Sequence, residues 1–86
     1  MSSRQENYGS YEDGTVFRAQ IMEAIRTRYT QHHGNLMNPM YEMMIWDIVN
    51  KISRLAVTPD HLDSIHDIVG YATLYESYVR ATTCQK

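Results

Sequence analysis

An all-α fold of three helices is predicted by three features of the chain. Apolar residues recur at helical spacing in three segments, while the alternation of a half-buried strand is almost absent. Two cap-then-proline pairs, Asn38-Pro39 and Thr58-Pro59, read as helix starts. Gly34 lies in an aperiodic stretch that reads as a helix stop.

The first helix is expected after a polar leader, residues 1–12, and the Glu12-Asp13-Gly14 run. Asp13 or Thr15 can cap it, and Phe17, Ile21, Ala24, Ile25 and Tyr29 form its apolar stripe. Glu23, Arg26 and Arg28 fall off that stripe and are expected to face water. The helix should stop near Thr30, before the Gln31-His32-His33-Gly34-Asn35 loop. In the second helix Asn38 is the N-cap and Pro39 takes the first position, where its missing N–H costs nothing. Tyr41, Met44, Ile45, Ile48, Ile52 and Leu55 make its stripe, with Trp46 and Asp47 to one side, and it ends near Val57. Thr58-Pro59 is expected to open the third helix, which Leu62, Ile65, Ile68, Val69, Ala72 and Tyr75 carry to about Arg80. The tail, residues 81–86, should fray. Gly70 interrupts this helix at a cost of about 0.5–1 kcal/mol against alanine. A glycine there allows a tight helix crossing, or close approach of another backbone or a ligand.

At 86 residues the chain is expected to be one domain, residues 1–86, with a core so modest that assembly into a homo-oligomer is the natural expectation. An apolar content of 43% belongs to a folded chain. A net charge of −2 and the absence of any basic run argue against bulk nucleic acid as a ligand. A small phosphorylated ligand needs only two or three cations and stays open. The lone cysteine, Cys84, cannot form an internal disulfide, so a reducing compartment is expected. Met1 to Glu6 lack the apolar core of a signal peptide, and no apolar run is long enough for a membrane span. A cytoplasmic protein is therefore expected.

The chemistry is concentrated on the second and third helices. Lys51 and Arg54 are three apart and share one helix face; Asp63 and Asp67 are four apart and share another. A structural ion-pair network would pair Lys51 with Asp47, and Arg54 with Asp63 or Asp67 across the corner. The functional alternative has Lys51 and Arg54 clamping phosphate oxygens while the aspartates orient them or accept from ribose hydroxyls. Asp63 and Asp67, with Asp60, could also offer hard oxygen ligands to magnesium. His32 and His33 are adjacent and His61 and His66 are five apart, so zinc spacing is absent. Tyr71, Tyr75 and Tyr78 run along one face of the third helix, as core, interface or stacking platform. Met37, Met40, Met43 and Met44 suit an adaptable packing or docking surface.

Three stretches together resemble a family of short phage and prophage proteins of unknown function, often labelled MazG-like. They are Arg4-x-x-x-Tyr8-Gly9, Lys51-Ile52-x-Arg54 and Asp63-Ser64-x-x-Asp67-Ile68-x-Gly70-Tyr71-Ala72. The label implies an all-α, magnesium-dependent nucleotide pyrophosphohydrolase with a Glu-Glu-x-x-Glu run answered by a Glu-x-x-Asp. This chain has no adjacent glutamate pair, and Glu42 is the only glutamate of the second helix. Small phage proteins of this general description include sponges that sequester nucleotide signals of bacterial defence. Three functional expectations follow. The leading one is a non-enzymatic, anti-defence sponge in the infected bacterial cell, with no cofactor. Arg4, Lys51 and Arg54 would contact phosphates, Tyr8 beside Gly9 or Tyr71 would stack a base, and Asp63 and Asp67 would hold the cations or ribose. The alternative is a MazG-like hydrolase with magnesium on Asp63 and Asp67. A third class, a phage accessory factor binding another protein, would use the methionine-rich start of the second helix.

Overall fold

In a computed structural model of the chain, the described residues are 3–83 for the backbone and 12–83 for side chains. They form three helices and no strand: α1 (Ser3–His33), α2 (Pro39–Val57) and α3 (Leu62–Thr83). The chain divides into two compact units, residues 1–36 and 37–86.

The first unit is built on α1, and it corrects two boundaries. Helix begins at Ser3, ahead of Asp13 and Thr15, so neither is an N-cap and the polar leader from Ser3 to Glu12 is itself helical backbone. Polarity alone does not oppose a helix: Arg4, Gln5 and Glu6 of the leader are all of good helix-forming type. The helix then runs past Thr30 to His33. Gly34 is the true stop. Its φ of 77° is the left-handed conformation that glycine adopts without strain, and its N–H donates to the Thr30 carbonyl at 2.7 Å. The two histidines therefore occupy the last helical turn, where the Tyr29 and His33 rings stack with centroids 4.1 Å apart.

The second unit is a hairpin of α2 and α3. α2 starts as expected: the Asn38 side chain accepts from the Met40 N–H at 2.8 Å, and Pro39 takes the first turn. At the far end the expectation fails. Thr58 does not cap α3; it closes α2, donating its N–H to the Arg54 carbonyl at 2.9 Å. Pro59 then sits at the corner of a turn closed by the His61 N–H on the Thr58 carbonyl at 3.1 Å, a position its fixed φ suits.

His61 is the residue that caps α3. Its Nδ1 accepts the Ser64 N–H at 3.3 Å and lies 2.8 Å from the Ser64 hydroxyl, so the ring does what an Asn or Ser side chain does elsewhere. α3 also outruns its expected end near Arg80, reaching Thr83; the Thr82 and Thr83 hydroxyls donate back to the Val79 carbonyl at 3.0 and 2.8 Å. The rest of the expected frayed tail, Cys84 included, lies outside the described residues.

The two helices run antiparallel. Tyr41, near the start of α2, meets Tyr75 and Tyr78 near the end of α3, with ring centroids 6.1 and 5.7 Å apart. Ser53 and Ser64 are buried towards the closed end and Val49 lies deeper along α2. Small side chains at that end suit two helices held together by a short connection. Gly70 does not serve such a crossing. It is exposed, and a Cβ built on it would meet nothing within 4 Å.

Candidate anion-binding site on the helical hairpin

The antiparallel hairpin brings one of the expected cations onto one of the expected carboxylates. Lys51 Nζ lies 3.0 Å from Asp67 Oδ2, with the two side chains 22% and 44% exposed. Lys51 thus reaches across to α3 rather than back along its own helix to Asp47. Arg54 makes no ion pair with Asp63 or Asp67 among the described residues; its side chain is exposed. The helical wheel gives the reason. Tyr41 and Lys51 mark the flank of α2 that meets α3, and Arg54 lies about 60° beyond Lys51 on the side turned away from it.

Asp63 is exposed on the first turn of α3 and has no ion pair or hydrogen bond among the described residues. No three His, Cys, Asp or Glu side chains come together there as a metal-holding group, so Asp60, Asp63 and Asp67 do not form one. Tyr71 is half-buried one turn beyond Asp67 on the same face, while Tyr75 and Tyr78 are engaged with Tyr41 across the hairpin. The tyrosine stripe is therefore divided: its C-terminal pair packs on Tyr41, and Tyr71, one turn from Asp67, makes no ring contact with Tyr41 among the described residues. Arg4, Tyr8 and Gly9 are on α1, but their side chains lie outside the described residues. Met40 and Met43 are exposed at the start of α2.

The one contact across the hairpin here is a lysine held by a carboxylate and half-shielded from water; helix spacing sets exposed Arg54 one turn from Lys51 towards the closed end and half-buried Tyr71 one turn from Asp67 towards the open end. A lysine ammonium has three donors, so the Asp67 contact leaves capacity for an anionic oxygen. The Arg54 guanidinium is a planar fork suited to two oxygens of one phosphate. The His61–Ser64 cap escaped the sequence reading, although its signal was present: Ser64 stands three residues after His61, the spacing of a capping box.

Protein-family models provide no match to this chain. No curated protein matches it, and no solved structure does either. No helix of the described residues is long and apolar enough to cross a membrane.

Proposed function

We propose that the chain binds a small, anionic, nucleotide-type ligand on the α2–α3 hairpin and holds it without turnover. The observation that carries this reading is the Lys51–Asp67 bridge at 3.0 Å, flanked by exposed Arg54 and half-buried Tyr71. Lys51 and Arg54 take phosphate oxygens, Asp67 keeps the lysine aimed, and the Tyr71 ring covers a base or ribose. Lys51 already neutralises Asp67, which favours an anion over a divalent metal at this spot. The likeness of its Lys51, Arg54, Asp63 and Asp67 stretches to short phage proteins is the ground for proposing an infected bacterium as the setting and sequestration of a defence signal as the role. Assembly of several copies would raise the number of sites per particle.

The test is incubation of purified protein with a nucleotide library, followed by mass spectrometry of the supernatant and of heat-released material. An unaltered nucleotide in the heat-released fraction is the expected result. Lys51→Ala and Arg54→Ala should each weaken its binding by about tenfold or more, since a charge-assisted hydrogen bond contributes roughly 1.5–3 kcal/mol. Chelation of magnesium should leave binding intact. Metal-dependent cleavage of any nucleotide, lost in Asp67→Asn, would replace this reading with the hydrolase. Recovery of no nucleotide at all would leave the protein-binding class.

A further inference from the structure

The first turn of α3 hangs on a histidine ring. The Ser64 N–H donates to His61 Nδ1 at 3.3 Å, and the Ser64 hydroxyl lies 2.8 Å from the same nitrogen. Ser64 is 1% exposed, so water has no access to replace the ring as acceptor for that N–H. The backbone of His61 is fixed on both sides. Its N–H donates to the Thr58 carbonyl at 3.1 Å, and its own carbonyl accepts the Ile65 N–H at 3.2 Å. A ring nitrogen that accepts a backbone N–H carries no hydrogen of its own, so this cap needs the neutral ring with its hydrogen on Nε2. The oxygen of a Ser, Thr or Asn cap stays an acceptor at any ordinary pH. In an imidazolium both nitrogens are donors.

We propose that His61 is an acid-sensitive catch at the closed end of the hairpin: proton uptake by its ring removes the acceptor of the Ser64 N–H and loosens the first turn of α3. The folded chain uses the neutral ring, whereas the unfolded chain takes up the proton without losing a hydrogen bond. Folding therefore weakens as pH falls through the histidine range, between about pH 8 and pH 5. The charged groups near the ring do not reverse that sign. Asp60 precedes it in the connection and Asp63 follows it on α3; both are exposed, and neither makes an ion pair with it among the described residues. Water screens what pull they exert. From α2, Lys51 is engaged with Asp67, and exposed Arg54 disfavours a second positive charge near its end of the hairpin. The positive end of the α3 dipole acts in the same direction. His66 is exposed and makes no hydrogen bond among the described residues, so it lacks this coupling to the fold. The turn that loosens is the one preceding Asp67, so the Lys51–Asp67 bridge lies next in line.

Urea unfolding of the full chain, followed by circular dichroism at about pH 7.5 and about pH 5.5, tests the proposal against His61→Asn, whose amide oxygen caps at both. Over that interval the folding constant of the wild-type chain should fall at least about threefold further than that of the variant. His32, His33, His66 and the carboxylates titrate in both proteins, so the difference belongs to residue 61. An equal dependence on pH overturns the proposal. His61→Ala has no acceptor and should lower the constant about fivefold at the higher pH; an unchanged value there overturns the cap itself. Nuclear magnetic resonance of the wild-type chain supplies a readout that needs no variant. At about pH 7.5 the His61 ring should carry its hydrogen on Nε2, and on acidification the Ser64 amide should lose more exchange protection than the Tyr75 amide. A hydrogen on Nδ1, or an equal loss at both amides, overturns the proposal. No ligand enters these measurements, so their outcome is separate from the nucleotide reading.

Discussion

Lys51 and Arg54 are the same kind of residue at a spacing that puts them on one face, yet only Lys51 finds a carboxylate across the hairpin. From spacing alone, Arg54 was expected to reach Asp63 or Asp67 across the corner and Lys51 to pair with Asp47 on its own helix. What decides is angle about the α2 axis, which depends on where α3 lies. Both partners keep contact with water, so the bridge should contribute at the scale of an exposed pair rather than a buried one. In a double-mutant cycle measured by urea unfolding, Lys51→Ala and Asp67→Ala should show a coupling of about 0.2–1 kcal/mol. Arg54→Ala and Asp67→Ala should be additive. A coupling above about 0.5 kcal/mol for that second pair would mean the arginine, not the lysine, answers Asp67 in solution.

At the scale of the helices, terminal residues carry testable weight. Asn38→Ala removes the acceptor for the Met40 N–H and should cost about 1 kcal/mol in the same urea experiment. Gly34→Ala forces a side chain into a left-handed residue at φ 77° and should cost about 1 kcal/mol. Gly70→Ala should do the reverse in dilute protein, stabilising by about 0.5–1 kcal/mol, because its Cβ meets nothing and helix propensity improves. Loss of stability there would mean a neighbour occupies that space even at low concentration. Asn38-Pro39 was legible because capping is local: side chain, proline and first turn lie within a few residues. Thr58-Pro59 looked the same and did something else, since a threonine N–H can also close the helix behind it. The start of α1 was missed because strong capping letters, Asp13 and Thr15, stand inside a helix whose earlier polar residues are good helix formers.

For the whole molecule, exposed Leu74, Leu62, Val69, Met40 and Met43 are apolar groups that the chain's own fold leaves in water. Association of copies would bury some of them, and binding to the folded state alone stabilises it by mass action. The apparent Tm should therefore rise with protein concentration, by a few degrees over a hundredfold range for a domain of this size. A Tm independent of concentration would point to a stable monomer and to a different use for those side chains.

The sequence by itself determined the all-α class, the body of each helix, the start of α2 and the residue types available for chemistry. Those properties follow from periodicity and from interactions within one turn, so a linear chain already contains them. Only the tertiary structure decided that Lys51 rather than Arg54 meets Asp67, that Tyr75 and Tyr78 pack on Tyr41, and that Gly70 faces open space. Each of these depends on the rotation of one helix against another. A difference of about 60° around a helix axis separates a paired cation from an open one, and no local rule reports that angle.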